Sequence, residues 1–221
     1  MKIGITEGAD PTANLDWMPW TYDGNPAILI TKRPELLLPM LTGEENIIIH
    51  CTITGWGGTK VEPNIPDWLT EIAYYHRLCN LFGMERVVLR IDPILPNYNL
   101  ALLRAILEHA EGRLRISFLD AYPHVKTRFS NANVRLEQST FHQPLELRRL
   151  IWDELGKPEV CGEPDMPITP CVSSMDCAIL GVEPLNTEKH QRPACHCLAN
   201  KTELCGKHNC TYGCLYCYWR T

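Results

Sequence analysis

No apolar run in this sequence is long enough to cross a bilayer. The longest, such as Ala27-Ile-Leu-Ile30 and Asn46-Ile-Ile-Ile49, have the length of single strands. Met1-Lys-Ile-Gly4 lacks the apolar stretch of a secretory signal, so no membrane association and a cytoplasmic location are expected. Positive charge is also short: 21 Lys and Arg stand against 26 Asp and Glu, a net charge of -5 that excludes a global attraction to polyanions. Nucleic-acid contact would then rest on local groups such as Arg113, Arg115, Lys126, Arg128, Arg148 and Arg149, which otherwise form an ordinary solvated surface. Internal repeats and low-complexity tracts are absent. Cysteine, by contrast, is plentiful at 11 residues, and without an export signal these read as reduced metal ligands rather than disulfides.

A chain of 221 residues that is 45% hydrophobic can bury a core as one domain, or as one domain with a small appendage. Uninterrupted β-branched runs predict strands at 2–5, 27–30, 47–53, 86–91, 114–119 and 159–161, of the kind buried in parallel sheets. Apolar residues at helical spacing predict helices over 67–81, 99–109 and 145–155. Three βα crossovers imply an α/β fold, a parallel sheet or partial barrel, over residues 1–161. From 162 to 221 the pattern changes to prolines, cysteines and short segments, which predicts a ligand-organised segment packed on the barrel mouth.

The most specific motif is Cys210-Thr-Tyr-Gly-Cys214-Leu-Tyr-Cys217. A 4Fe-4S cubane usually takes four thiolates, so three closely spaced ones leave one iron open for an exchangeable ligand. A zinc ribbon is the alternative, although structural zinc usually brings two Cys-x2-Cys pairs and one is present. The three-then-two spacing, with Tyr216 directly before the last cysteine, resembles the radical S-adenosylmethionine (SAM) superfamily.

The expected strand ends are unusually polar, and in parallel sheets and barrels ligands collect there. Arg90 suits a forked carboxylate contact, Asp92 a ribose hydroxyl, Asp120 a cofactor contact and Lys32 an anion, while the Gly55 to Gly58 turn lets backbone approach a ligand. Each has a plainer reading as a strand bridge, a solvated cation or a turn. Cys51 near a strand end is a candidate hydrogen-atom donor, with a core thiol as the alternative. Cys79, Cys177 and Cys205 read as buried inert thiols.

Several segments together, Ile28-Leu-Ile-Thr-Lys-Arg-Pro34, Thr54-Gly-Trp-Gly57 with Val61-Glu-Pro63, Glu85 to Leu95, Ile116 to Tyr122, Gln191-Arg-Pro-Ala-Cys-His-Cys197 and Cys210 to Tyr218, resemble an uncharacterised bacterial and phage family similar to spore photoproduct lyase. The likeness spans about residues 27–218. It implies a partial (β/α)6-type radical SAM barrel that is circularly permuted, because the superfamily carries its triad after the first strand and here the triad lies near residue 221. It also implies reductive cleavage of SAM to a 5'-deoxyadenosyl radical that abstracts a substrate hydrogen, with flavodoxin or ferredoxin as reductant. The substrate implied is a thymine-type base in DNA, extruded and stacked on Trp56, Trp17 or Trp20. Tyr216 would pack at the adenine, and Gly162-Glu163-Pro164 resembles the Gly-Gly-Glu segment that receives the methionine amino group. Cys161, Cys171, Cys195 and Cys197 resemble recurring family cysteines that would close a second 4Fe-4S cluster, or bind zinc; His196 and His208 are further ligand candidates. The family's Ser-Arg-Arg-Thr-Asp run is replaced by Ile5-Thr6-Glu7-Gly8-Ala9-Asp10. The reading from a different class is a non-catalytic zinc or iron-sulfur module that contacts nucleic acid or protein.

Overall fold

The computed structural model describes residues 1–187, 194–206 and 210–220. All six expected strands form: β1 (Ile3–Ile5), β2 (Ala27–Thr31), β3 (Ile47–Thr52), β4 (Val87–Ile94), β5 (Leu114–Phe118) and β6 (Glu159–Val160). A seventh, β7 (Lys201–Glu203), pairs parallel with β1 through Ile3↔Lys201 and Ile5↔Glu203. Among the described residues the strands make one curled half-barrel sheet, in the order β6-β5-β4-β3-β2-β1-β7, every pair parallel.

The helices are α1 (Met18–Tyr22), α2 (Pro34–Leu37), α3 (Trp68–Phe82), α4 (Leu100–Leu107), α5 (Pro123–Asn131), α6 (Leu145–Glu154) and α7 (Ser174–Leu180). The long α3 starts where Asp67 accepts hydrogen bonds from the amides of Leu69 and Thr70, which satisfies two of the donors a helix start leaves open. Alternation along each strand then decides which core a residue joins. Ile47, Ile49 and Cys51 of β3 pack with Ile72, Tyr75 and Leu78 of α3 on the convex side. Ile48, with Ile3, Ile5, Ile28 and Val88, faces the concave interior, where it meets Cys161, Cys171, Val172, Cys177 and Leu180.

Residues on both sides of the expected boundary at 161 and 162 fill this interior. β7, beyond that boundary, belongs to the sheet, and residues from Cys210 to Trp219 line the cleft at its mouth. Asn46 donates to the Leu180 carbonyl (2.9 Å) and Arg86 to that of Ile179 (3.1 Å), which fixes α7 at the starts of β3 and β4. The first half of the cysteine-rich segment therefore fills the half-barrel from the amino-terminal end. No helix among the described residues is long and apolar enough to cross a membrane.

One carboxylate is stranded in the convex core. Glu71 on α3 is fully buried and neither of its oxygens has a hydrogen-bond partner. Burial, then repulsion from Glu62, holds its pKa well above the usual glutamate range against the pull of Lys32. The folded protein thus keeps a proton that the unfolded chain releases near pH ~4.3, so this group's contribution falls as pH rises above that value. The expected slope is up to about 1.4 kcal/mol per pH unit, and Glu71→Gln should remove it. Urea midpoints measured from about pH 4 to about pH 7 check this, and identical slopes for the two proteins would refute it.

Candidate functional site

The parallel sheet brings every strand's carboxyl end to one rim, and the rim encloses a cleft of ≈ 940 Å³, open mouth included. Its walls carry Thr6, Glu7 and Asp10 after β1, Thr31 and Lys32 at β2, Thr52 on β3, Arg90 and Asp92 on β4, and Ser117 to Asp120 at β5. The segment beyond β7 supplies Cys210, Tyr212, Cys214, Tyr216, Cys217, Tyr218 and Trp219. The triad and the expected Lys32, Arg90, Asp92 and Asp120 therefore converge on a single cleft. Arg90 and Asp92 pair with each other, and Asp120 accepts from His142 Nδ1 at 2.8 Å.

The triad loop is fastened at several points. Gly213, at φ +80°, makes the left-handed turn between Cys210 and Cys214, where a side chain would be strained. Arg128 of α5 donates Nε to the Leu215 carbonyl (3.0 Å) and its other nitrogens to the carbonyls of Cys217 and Arg220. The Leu215 amide donates to the Val61 carbonyl at 2.9 Å. Below the loop lies Glu62, only 1% exposed. It accepts from the Tyr216 hydroxyl, from Lys32 Nζ at 2.9 Å and from Thr54 Oγ1 at 2.7 Å. The Lys32 ammonium stands 5.0 Å from the centre of the Tyr216 ring. Tyr216 is thus pinned at its hydroxyl and backed by a cation while its ring lines the cleft. Burial pushes the Cys210 and Cys214 thiols up, with Lys32 acting against that at Cys214.

Asp10 joins the same frame from the other side. It accepts from the Lys32 amide (2.7 Å), the Thr12 hydroxyl (2.7 Å) and the Thr31 hydroxyl (3.1 Å), while Thr12 in turn meets the Tyr212 hydroxyl. Glu7 accepts from the Tyr218 hydroxyl at 3.2 Å and pairs with Lys201.

Other expected site residues lie elsewhere. Cys51 does not line the cleft: alternation sends Thr52 to the concave side and Cys51, fully buried, to the helix side, where burial pushes its thiol well up. Glu163 is also absent from the cleft wall. Its carboxylate accepts from the Phe118 amide (2.8 Å) and from Arg148 (3.3 Å), all three buried, so it ties β5 to α6. Gly162 adjoins it, in a left-handed conformation at φ +65°. The close approach at Gly57 is to the Pro66 carbonyl, where a Cβ would sit at 1.6 Å. Trp17 and Trp20 are packing residues that donate their indole N–H to the carbonyls of Pro11 and Pro26. Of the basic groups, Arg113 pairs with Glu159 and Asp176, Arg115 with Glu159 and Arg148 with Glu163, and Arg128 clamps the triad loop.

Cys161, Cys171, Cys195 and Cys197 gather in the interior beneath the cleft. The sulfurs of Cys161 and Cys171 are 2.9 Å apart; Cys171 also hydrogen-bonds Cys197, and Cys197 hydrogen-bonds Cys195. That contact with Cys197 pulls the Cys195 thiol down to about 5. Among the described residues no three His, Cys, Asp or Glu side chains are grouped, as they stand, so that they could hold a metal ion. Cys177 is buried on α7, and burial pushes Cys79 up to about 11 and Cys205 up to about 12, as inert thiols require. Gln191, Arg192, Pro193 and His208 lie outside the described residues.

Sequence reasoning missed Glu62, Tyr212 and His50, and named Arg128 only as a basic group for nucleic-acid contact and not as the clamp of the triad loop. Glu62 touches Tyr216 from far away in the chain, and no local spacing announces such a contact.

Compared with models of known families, residues 25–219 match a domain of unknown function, DUF1848. The chain belongs to this family. The family's span covers β2 through the triad, nearly the range over which the segment resemblances run, and leaves β1 ahead of it. No curated protein and no solved structure matches.

Proposed function

We propose that the chain is a radical SAM enzyme whose cluster is held by Cys210, Cys214 and Cys217 at the cleft. The observation that carries this reading is where the triad lies. It follows β7, the strand flanking β1, and opens on the carboxyl-end cleft of a parallel half-barrel. In the superfamily the triad follows the first strand; here the same side of the sheet is reached from the strand made last, which supports the circular permutation. The residues fit the group. Among the described cleft-lining residues the triad supplies the only thiols, so a cubane there keeps one iron without a protein thiolate.

When bound, cluster and cofactor supply one-electron hydrogen-abstraction chemistry. The chain's own part is to hold, orient and exclude water. Arg128 and Tyr216 set the loop that presents the three sulfurs, and Lys32, Arg90, Asp92 and Asp120 offer charged contacts around the cleft. Aromatic rings screen the mouth: Tyr218 packs 4.8 Å from Trp219 and stacks on Tyr122 at 6.2 Å, centre to centre. As substrate class we propose a thymine-type base in DNA, supported by this aromatic rim and by the resemblance described above. The engaged arginines leave few groups for phosphates, so DNA binding should weaken only shallowly with salt.

The test is metal and acid-labile sulfide analysis of anaerobically purified protein, followed by reduction in the presence of SAM. Iron with sulfide and formation of 5'-deoxyadenosine are expected. Zinc without iron at the triad, and no cleavage, would instead support a metal-binding module.

A further inference from the structure

The concave face beneath the cleft holds an unusual row of polar side chains. Register places His50 of β3 between Ile30 and Val88, and one step up places Thr52, Arg90, Arg115 and Glu159 side by side on β3 to β6. His50 is fully buried and neither ring nitrogen has a partner; Arg90 Nε and Arg115 Nη1 are likewise buried and unpartnered. Leaving such groups without acceptors costs about 1–3 kcal/mol each, more where charge is involved. Asp92, Glu159, Asp176 and Glu7 already answer Arg90, Arg115, Arg113 and Lys201. What this interior lacks is therefore acceptors and not countercharge.

Two of the four gathered thiols, Cys161 and Cys171, are neighbours of these orphan donors. Arg90 and Arg115 interact electrostatically with Cys161 and Cys171, and His50 with Cys171. We infer that Cys161, Cys171, Cys195 and Cys197 ligate a metal-thiolate centre of their own, with His50, Arg90 and Arg115 donating N–H hydrogen bonds to its sulfurs. The two observations are independent: one is a convergence of sulfurs, the other a set of donors lacking acceptors. Metal-bound thiolates are deprotonated, strong acceptors, and such N–H contacts are how proteins orient and tune metal-sulfur sites. Arg90 borders both the cleft and this interior, so the two sites share one wall.

The inference does not depend on the cleft triad, and its test removes the triad. Anaerobically purified C210A/C214A/C217A protein should retain one sulfur-ligated metal centre per chain, seen by metal analysis and X-ray absorption. Iron with sulfide identifies a cluster and zinc a single-ion site; either supports the inference. Adding C161S and C171S should abolish the retained metal. Should that protein misfold, Cys195 in the folded triad variant is the second readout: it should resist alkylation until a chelator is added. A triad variant free of iron and zinc, a Cys161–Cys171 disulfide, or immediate alkylation of Cys195 would overturn the inference. SAM cleavage by the wild type reports on the cleft alone, so the two readings fail separately.

Discussion

Replacing Cys210, Cys214 and Cys217 together by alanine is expected to remove about four irons per chain and to abolish reductive cleavage of SAM. The loss should be specific. The loop carrying these residues is fixed by contacts that do not involve sulfur: Arg128 on three carbonyls, the Leu215 amide on Val61, and the Tyr216 hydroxyl on Glu62. Circular dichroism and the urea midpoint should therefore change little while iron and turnover disappear. Undiminished 5'-deoxyadenosine formation by the triple variant would remove the triad from the chemistry.

Glu163→Ala should be the most destabilising single change considered. Glu163 and Arg148 are 1% and 4% exposed at their side chains and lie 3.3 Å apart, and Glu163 also satisfies the Phe118 amide. Removing one member of a buried pair typically costs about 3–5 kcal/mol because the other charge stays buried. Arg148 keeps the carbonyls of Gln143 and Pro164, which points to the lower end, about 3 kcal/mol. Glu163→Gln, which retains an acceptor for the Phe118 amide, should lose less. Urea unfolding measures both. A variant that kept full stability and lost only SAM affinity would return Glu163 to the cofactor role its sequence resemblance implies.

The parallel sheet and three of its helices were legible because burial on both faces writes continuous β-branched runs, and because α3, α4 and α6 carry apolar residues at helical spacing. β7 was not, since Lys201-Thr-Glu203 has no apolar residue and owes its place to backbone pairing with β1. α7 was missed although Ser173 and Asp176 form a capping box, because the apolar run after it reads equally as a strand. In the site, residue type and strand-end position brought out Lys32, Arg90, Asp92 and Asp120. They could not tell that Cys51 faces the other way or that Glu163 is engaged inside, since both facts depend on a one-residue alternation and on partners distant in the chain.

The position of β7 also sets an order of assembly. Its partner β1 is made first and waits, with one edge unpaired, while β2 to β6 add in sequence on its other side. Closing that edge joins residues almost the whole chain apart, the kind of contact whose loop entropy makes it late in folding. The triad loop hangs from this final strand. A nascent chain released early would thus carry a nearly complete sheet and no cysteine triad, so the triad is made only after the strands whose ends wall the cleft it lines.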